Sequence, residues 1–394
     1  MTQKEKSKES NYKTMGYKPI RAIISGGGTG GHIFPAISIA SQLRELNPDS
    51  EILFVGAEGK MEMEKVPAAG FKIVGLPIVG LQRQFSWANL KNDLQVPFKL
   101  AASLLKARRI IRDFKPDIAI GVGGYASAPL LRAATRLGVP SLIQEQNGFA
   151  GLTNKLLAKK AGCICVAYEG MERFFPAEKI VLTGNPIRSD IVPATPQTRA
   201  EGLSFYGLDP ARRHILIIGG SLGSGTLNKA MKRWIEGGCP GGEEVEILWQ
   251  CGKYYKKGVD AFMEGHPEAA SRIHWTDFIA RMDLAYAMAD LVISRSGASS
   301  VSEICAARKA AVFVPSPNVA EDHQTHNAMA LVRKGAALLV KDADAPEQLL
   351  PTALALLADP ERISSIENAA GALAKTDAAR QIADEVYKLL EKNV

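Results

Sequence analysis

Short runs of β-branched and other apolar residues alternate along this chain with longer amphipathic segments. In the first half the runs are RAIIS, EILFV, DIAIG, SLIQ, CICVA and KIVLTG, and the segments 35–46 and 129–137 between them have helical spacing. A chain that alternates strand and helix in this way builds a parallel sheet with helices on both faces. From residue 18 onward, the pattern therefore predicts an α/β fold.

The alternation stops after residue 184 and then begins again. Prolines 186, 193, 196 and 210 fall in this interval, and irregular proline-rich sequence between two regular regions is typical of a linker. The second series of runs is HILIIGG, VEILWQ, RIHW, LVISRSG, AAVFVPS and ALLV, followed by helical segments over 345–357 and 360–391. We predict two Rossmann-like domains facing each other across a cleft, over 18–187 and 188–371, with a C-terminal helix at about 372–394 joining the first.

Composition is that of a globular protein and leaves the partner open. The 394 residues are 46% hydrophobic and 23% charged, with a formal net charge of +7. This basic excess fits a nucleotide, a nucleic acid or an acidic membrane, and it fits simple solubility equally well. Five scattered cysteines favour a reduced cytosolic compartment. We expect no signal peptide and no membrane span, and we expect a disordered tail over 1–17.

Each predicted domain opens with a glycine-rich turn between a strand and a helix. RAIIS leads into GGGTGG, and HILII leads into GGSLGSG. Such turns expose backbone N–H groups at a helix N-terminus, which suits a phosphate or a sugar oxygen. For either loop alone, a tight turn without a ligand is the alternative. Two such loops at corresponding places in two domains favour binding.

The first loop departs from the dinucleotide-binding pattern. His32 stands where that fingerprint has a small residue, and no acidic residue ends the second strand to hold a ribose. Nicotinamide binding is therefore disfavoured. At a helix start the dipole favours a neutral imidazole, so His32 is a candidate base. A structural histidine that closes the loop is the alternative.

Polar residues follow two further strands of the first domain. GVGGYASAP places Tyr125 beside the first loop, where it points into the cleft or packs. QEQNGFAGLTNK begins with four side chains able to bond sugars or phosphates, Gln144, Glu145, Gln146 and Asn147. Open α/β sheets bind ligands at the carboxyl ends of their strands. A polar surface loop is the alternative.

The second domain offers two polar helix starts. In SRSGASSVSEICAA we predict that Ser299 and Ser300 cap a helix with Glu303 in its first turn, as a capping-box partner or as an acceptor for a ribose diol. The helix after AVFV opens with residues that share one face, namely Asp322, His323, Gln324 and Asn327. No third ligand is spaced to make this segment a metal site. An aromatic content of 7% without basic–aromatic interleaving argues against nucleic acid.

Seven blocks carry a more specific signal: GGGTGGHIFPAISIA, GVGGYASAP, QEQNGFAGLTNKLLA, TGNPIR, GGSLG, SRSGASSVSE and DHQTHNA. Together and in this order they resemble the MurG family, the UDP-N-acetylglucosamine:undecaprenyl-pyrophosphoryl-MurNAc-pentapeptide N-acetylglucosaminyltransferases of bacterial peptidoglycan synthesis. The resemblance implies a GT-B fold. It also implies inverting transfer of GlcNAc from UDP-GlcNAc to the C4 hydroxyl of MurNAc in lipid I, giving lipid II, with no metal or other cofactor.

The resemblance implies functions for individual residues. His32 is the expected base and Glu145 a rival, whereas no proton transfer is assigned to Gln144, where some members have histidine. Leu222 replaces the glutamine of many GGSQG loops. Positions that match contacts to the donor are Thr29, Gly30, Gly31, Asn147, Arg188 and Ser221. Ile279 matches a contact to uracil, and Gln324 matches a contact to the GlcNAc hydroxyls. The segment that matches the diphosphate and ribose contacts consists of Ala298, Ser299, Ser300, Val301, Ser302 and Glu303.

The segment LQVPFKLAASLLKARRIIRDFKPD is amphipathic, with basic residues around an apolar stripe. Spacing alone favours a surface helix that packs on the sheet. The family's membrane-facing patch falls here, on Phe98 and Leu104, which implies peripheral attachment to an anionic membrane surface, the cytoplasmic face of the bacterial inner membrane. Larger aromatics in family members at Ala101 and Leu104 predict a weaker patch here. The family's place in cell-wall synthesis implies cell-wall and division proteins as partners.

Two other functions stay open on the sequence. One is a different GT-B sugar-nucleotide enzyme, either a glycolipid glycosyltransferase or a UDP-GlcNAc 2-epimerase, although the further acidic residues expected of an epimerase are not found. The other is a catalytically silent scaffold that binds nucleotide sugars. The joint presence of His32, Glu145, Glu303 and Gln324 argues against the scaffold.

Overall fold

The computed structural model describes residues 16–78, 96–220 and 222–392, and for 96–98 and Ala320 it describes the backbone alone. The chain divides into two units, Met1–Ile187 with Asp377–Val394, and Arg188–Thr376. The predicted disordered tail lies outside the described residues except for its last two positions, and Ser221 also lies outside them.

The first unit is built on a seven-stranded parallel sheet. Its strands are β1 Arg21–Ser25, β2 Glu51–Ala57, β3 Lys72–Leu76, β4 Ile118–Gly121, β5 Ser141–Glu145, β6 Cys163–Val166 and β7 Ile180–Leu182. They lie in the order β3-β2-β1-β4-β5-β6-β7, and every neighbouring pair is parallel. The direction in which the chain crosses the sheet therefore reverses between β1 and β4.

Helices cover both faces of this sheet. They are α1 Gly30–Leu46, α2 Glu62–Ala68, α3 Val96–Phe114, α4 Ser127–Arg136 and α5 Leu152–Leu157, with 3₁₀ turns at Met171–Arg173 and Ala177–Lys179. Successive residues of β1 point to opposite faces: Ile24 shares a core with Ile39 of α1, and Ile23 shares the other core with Ile111 of α3 and Leu130 of α4. Burial on both faces explains why the strands read as continuous apolar runs.

The second unit repeats the plan with a six-stranded parallel sheet. Its strands are β8 Arg213–Ile218, β9 Val245–Gln250, β10 Ile273–Thr276, β11 Leu291–Ser294, β12 Ala311–Phe313 and β13 Leu338–Leu339, in the order β10-β9-β8-β11-β12-β13. The helices are α6 Pro196–Tyr206, α7 Gly225–Glu236, α8 Lys256–Glu264, α9 Met282–Met288, α10 Ala298–Ala306, α11 His323–Val332, α12 Ala345–Leu357 and α13 Pro360–Ala372. The 3₁₀ turns of this unit lie at Ala269–Ser271, Ala320–Asp322 and Asp342–Asp344.

The last helix, α14 Ala378–Glu391, belongs to the first unit. Its Ile382 and Val386 are fully buried in the core that contains α1, and the Tyr387 hydroxyl donates to the carbonyl oxygen of Lys18 at 3.0 Å. The prediction of one helical segment over 360–391 is wrong, because residues 373–377 interrupt it where the chain passes from the second unit to the first.

Four of the loops singled out by the sequence leave the strands that flank the two reversal points. In the first unit these loops follow β1 and β4, and in the second they follow β8 and β11. Open parallel sheets bind ligands at this position. The predicted α/β class, with two Rossmann-like parallel-sheet domains, is confirmed.

Candidate functional site

The glycines of the first loop allow two backbones to touch. A Cβ on Gly27 would overlap the Glu62 carboxylate, and a Cβ on Gly124, in the loop after β4, would overlap the carbonyl oxygen of Gly27. Gly28 and Gly124 each have a φ of +86°, a region that favours glycine. Part of the glycine content therefore serves the packing of one loop against the other.

A buried carboxylate lies behind this loop. Glu62 is 1% exposed; its Oε2 accepts the N–H of Gly28 at 3.0 Å, and its Oε1 accepts the N–H of Ala57 at 3.0 Å. Because Glu62 engages the Gly28 amide, that N–H group is already paired. The amides of Gly30 and Gly31 lie in the first turn of α1, where N–H groups have no acceptor within the helix.

His32 lies in the same first turn and contacts both neighbouring loops. Its Nδ1 is 2.8 Å from Oε1 of Gln146, and a Cβ on Gly123 would overlap the imidazole ring. Gln146 is 1% exposed, and its amide nitrogen donates to the carbonyl oxygen of Val122 at 2.8 Å. Residues that follow β4 and β5 therefore fix the position of the ring.

Glu145 is buried and organises the loop that follows β5. Its Oε1 accepts the backbone N–H of Asn147 at 3.1 Å and the side-chain amide of the same residue at 3.3 Å. Its Oε2 accepts the N–H of Gly151 at 2.9 Å and the side-chain amide of Asn154 at 2.9 Å. These contacts favour a loop-shaping function for Glu145. The neighbouring Tyr125, after β4, is 51% exposed.

The predicted serine cap of α10 is wrong. The helix starts at Ala298, its N-cap is Gly297 with extended backbone, and no side chain caps it. Ser299 and Ser300 consequently lie inside the helix, and Glu303 lies beyond the first turn, so the capping-box alternative is also excluded. The Ser299 hydroxyl is buried and has no hydrogen-bond partner in the part of the chain that the structure describes.

Glu303 occupies an environment that changes its acidity. Burial raises its pKa to about 7, although the Tyr286 hydroxyl donates to its Oε2 at 3.2 Å and the Arg188 charge also favours the ionised form. Arg188 itself bonds Asp190, with its Nε 3.0 Å from Oδ1, and the Asp190 charge raises the Glu303 pKa further. A carboxylate that titrates near neutrality responds strongly to a ligand that donates hydrogen bonds to it.

Ile279 lines a pocket of about 280 Å³ whose walls combine aromatic, aliphatic and polar side chains. The residue is 4% exposed. The other side chains that line the pocket include Phe205, Tyr206, Trp275 and Phe278. Burial also raises the pKa of the Tyr206 phenol to about 12, so this hydroxyl stays protonated at neutral pH.

Gln324 ties together the loops that follow β11 and β12. Its Oε1 accepts the N–H of Ser316 at 2.9 Å, and its carbonyl oxygen accepts the hydroxyl of Ser296 at 2.8 Å. Asn327, one turn later on α11, donates to the carbonyl oxygen of Ser296 at 3.2 Å. With Oε1 engaged by Ser316, the NH₂ group is the other polar group of the Gln324 side chain.

The glycine loop of the second unit repeats the construction of the first. Gln250, at the end of β9, accepts the N–H of Gly219 at 3.2 Å and donates to the carbonyl oxygen of Gly220 at 2.9 Å. A Cβ on Gly223 would overlap the carbonyl group of Cys251. In each unit, a polar side chain from the end of the second strand, or just after it, braces the loop that follows the first strand.

Comparison with protein families agrees with this arrangement. The N-terminal domain model of glycosyltransferase family 28 matches residues 22–166, and the C-terminal domain model of that family matches residues 214–386. The chain belongs to glycosyltransferase family 28.

Close relatives within family 28 share one name. A protein of Parabacteroides distasonis is 54% identical over 372 residues, covering 94% of this chain and 99% of the relative, and one of Bacteroides fragilis is 51% identical, covering 98% and 100%. Both are named UDP-N-acetylglucosamine–N-acetylmuramyl-(pentapeptide) pyrophosphoryl-undecaprenol N-acetylglucosamine transferase.

Solved structures extend the comparison to the fold. The crystal structure of Acinetobacter baumannii MurG matches with a TM-score of 0.72 and 30% identity, covering 94% of this chain and all of that one. A UDP-N-acetylglucosamine 2-epimerase matches with a TM-score of 0.64 and 15% identity, covering 94% and 95%, and this likeness concerns the fold alone. The fold of this family 28 chain is GT-B.

Three residues at these sites have functions that sequence reasoning missed. Glu62 and Gln250 brace the glycine loops, and nothing in their spacing distinguishes them from exposed polar neighbours such as Glu64. Gln146 stood among the candidate ligand contacts, yet it is buried and bonds His32. Gln144 is buried as well, and Asn147 is the partly exposed member of that group of four.

We expect Glu62→Gln to lower the free energy of unfolding by about 1–3 kcal/mol, because an amide in place of the carboxylate turns a donor toward one of the two buried N–H groups. Urea denaturation measures the change. The matched control is Glu64→Gln, two residues further on, whose parent side chain is 81% exposed. Equal effects of the two substitutions would contradict the bracing function.

Proposed function

We propose that the chain transfers GlcNAc from UDP-GlcNAc to the C4 hydroxyl of MurNAc in lipid I, with inversion at the anomeric carbon, to form lipid II. The observation that carries the proposal is 54% identity to a transferase of that name over 99% of the relative's length. Three groups described above agree with the reaction. They are the imidazole of His32, which neighbouring loops hold in place, the N-termini of α1 and α10, and the carboxyl of Glu303, whose pKa is about 7.

The second unit is the proposed donor site. We assign the aromatic pocket beside Ile279 to the uracil, because flat apolar walls suit a nucleobase. The ribose diol would donate to Glu303, and the diphosphate would bind the N-terminal turn of α10, whose residues 298–302 include the unpartnered Ser299 hydroxyl. Arg188 and Ser221 would contact the donor as well. The NH₂ of Gln324 would bond the GlcNAc hydroxyls.

The first unit supplies the acceptor side. The amides of Gly30 and Gly31, with Thr29 at the N-cap of α1, form an N-terminus that suits a diphosphate. We propose that it binds the pyrophosphate of lipid I and also contacts part of the donor. Tyr125 and Asn147, which are exposed or partly exposed near this loop, complete the set of contacts.

The chemistry is a single displacement. Nε2 of His32 takes the proton of the MurNAc C4 hydroxyl while that oxygen forms a bond to the anomeric carbon of GlcNAc. The bond from that carbon to the diphosphate oxygen breaks, and UDP leaves with the electron pair. Arg188 and the helix N-termini offset the charge that develops on UDP. Of the two candidate bases, the contacts favour His32, because four donors, three from the loop after β5 and one from Asn154 of α5, occupy the Glu145 carboxylate.

We expect His32→Ala to lower kcat about 10²–10⁴-fold, the usual contribution of a general base, while the affinity for UDP-GlcNAc is retained. Transfer of labelled GlcNAc to a short-chain lipid I analogue measures the rate, and calorimetry measures donor binding. The matched control is His266→Ala, at a histidine of the second unit that stacks on Phe262.

Full activity of the His32→Ala enzyme would contradict the assignment of His32 as the base. If the wild type bound UDP-GlcNAc but released free sugar without transferring it to lipid, the outcome would identify a 2-epimerase. Binding without any turnover would identify a scaffold.

We expect affinity for UDP-GlcNAc to rise up to about tenfold from pH 6 to pH 8, because Glu303 must lose its proton to accept both diol hydrogens and its pKa is about 7. Calorimetric titration across this range tests the expectation. UDP-GlcNAc is the probe because its diphosphate, esterified at both ends, does not titrate near neutrality.

Glu303→Gln removes this pH dependence, whereas Glu361→Gln, at an exposed carboxylate of α13, keeps it. The same rise in the Glu303→Gln protein would contradict the ribose assignment.

We propose that the first unit attaches to an anionic membrane surface through its helical layer of α3, α4 and α5, because the acceptor carries a lipid tail. None of the helices in the described ranges has the length and apolar character of a membrane span. Leu104 is half-buried and the Phe98 side chain lies outside the described residues, but Leu100 and Leu105 of α3 are 42% and 66% exposed. Leu152 and Leu156 of α5 are 63% and 73% exposed on the same face of the sheet.

Leu100→Glu with Leu105→Glu should reduce sedimentation with vesicles that contain anionic phospholipid, since apolar insertion is lost and negative charge is added. Transfer to a water-soluble acceptor analogue should stay unchanged. The control is Val192→Glu, at a 56% exposed position of the second unit. Unaltered sedimentation of the α3 double variant would contradict this attachment surface.

A further inference from the structure

A buried amide lies against one ring nitrogen of His32. Oε1 of Gln146 is 2.8 Å from Nδ1 of the imidazole. The NH₂ of the same amide is directed at the carbonyl oxygens of Val122, at 2.8 Å, and Gln144, at 3.1 Å. An amide oxygen has no proton, so the hydrogen of this contact has to belong to Nδ1 of the imidazole.

The backbone carbonyl groups of Val122 and Gln144 determine the orientation of the Gln146 amide. Reversing it would bring its oxygen against the carbonyl oxygens of Val122 and Gln144, which are both acceptors, and its NH₂ against His32. Gln146 is 1% exposed, so water does not compensate for two such oxygen–oxygen contacts. The assignment of oxygen and nitrogen therefore follows from the surrounding peptide groups.

A second chain of hydrogen bonds supports the same orientation. Asn185 donates from its side chain to the carbonyl oxygen of Gln146 at 3.0 Å, which turns its Oδ1 toward the Nε2 of Gln144, 3.2 Å away. Gln144 then presents its own Oε1 to the NH₂ of Gln146. Gln144 and Asn185 are buried at 0% and 2% exposure. Three buried amides thus point one acceptor, Oε1 of Gln146, at His32.

We propose that Gln146 is a positioning residue that holds His32 in the tautomer with hydrogen on Nδ1 and a lone pair on Nε2. This inference rests on the proposed function, in which Nε2 takes the proton of the acceptor hydroxyl. After that transfer both ring nitrogens carry hydrogen, and the bond from Nδ1 to Gln146 is kept. The amide is not a base at neutral pH, so the proton stays on the imidazole.

An amide suits this position better than a carboxylate. The reaction brings two diphosphate groups to the protein, and a buried negative charge beside His32 would repel them. A neutral amide orients the ring without adding such a charge. Two adjacent residues therefore have different functions: Glu145 shapes the loop after β5, and Gln146 fixes the tautomer of His32.

The test compares Gln146→Leu with Gln146→Glu and with the control Gln42→Leu, which makes the same substitution at a partly exposed position of α1. Nitrogen-15 NMR of histidine-labelled full-length protein reports the tautomer of His32, whose signals are identified by their loss in His32→Ala. Wild type, Gln42→Leu and Gln146→Glu should show hydrogen on Nδ1. Gln146→Leu should move the population toward hydrogen on Nε2.

Rates of GlcNAc transfer give a second readout. We expect Gln146→Leu to lower kcat about 10–10⁴-fold, the range seen when an orienting partner is removed, with KM for UDP-GlcNAc unchanged. In a His32→Ala background the same substitution should have little further effect, because Gln146 acts through His32. An equal loss in both backgrounds, or an unchanged tautomer in Gln146→Leu, would overturn the inference. A changed tautomer with an unchanged rate would uphold the positioning function and overturn the assignment of His32 as the base.

Discussion

Close contact between backbone loops at the carboxyl ends of neighbouring strands is the constraint on which both sites depend. In each unit a loop rich in glycine leaves the first strand and lies directly against the loop of an adjacent strand, with no space for a Cβ at Gly27, Gly124 or Gly223. A polar side chain, Glu62 in the first unit and Gln250 in the second, pairs backbone groups of the glycine loop. Peptide groups that lose contact with water need such partners, because leaving them unpaired is costly.

This packing decides which groups remain for a ligand. The Gly28 amide is taken by Glu62, whereas the amides of Gly30 and Gly31 lie at the start of α1, where we propose that a diphosphate binds. The same contact brings Gly123 against His32 and puts the imidazole within reach of Gln146. A substitution that changes the packing of these loops should therefore also move the imidazole of His32, the proposed base.

The two units differ in the electrostatic properties of their candidate sites. In the first unit, the neutral amide of Gln146 holds the His32 ring at the N-terminal turn of α1. In the second unit, partial burial raises the pKa of Glu303 to about 7, so its charge responds to groups that donate hydrogen bonds to it. Family 28 membership, and relatives more than half identical over nearly their whole length, give these arrangements a common purpose in sugar transfer.

The sequence alone determined the α/β class, the two parallel sheets, the position of the glycine loops and the resemblance to a glycosyltransferase family. These features depend on local periodicity and on short motifs, which a linear chain displays directly. The predicted start of α10 is wrong because two serines resemble a cap, whereas the N-cap is Gly297, two residues before Ser299. Only the tertiary structure decided that Glu62 and Gln250 brace the loops, that Gln146 faces His32 and that burial raises the pKa of Glu303. These properties arise from contacts between residues far apart in sequence, such as the 114 positions between His32 and Gln146, and no local pattern records which buried groups will meet.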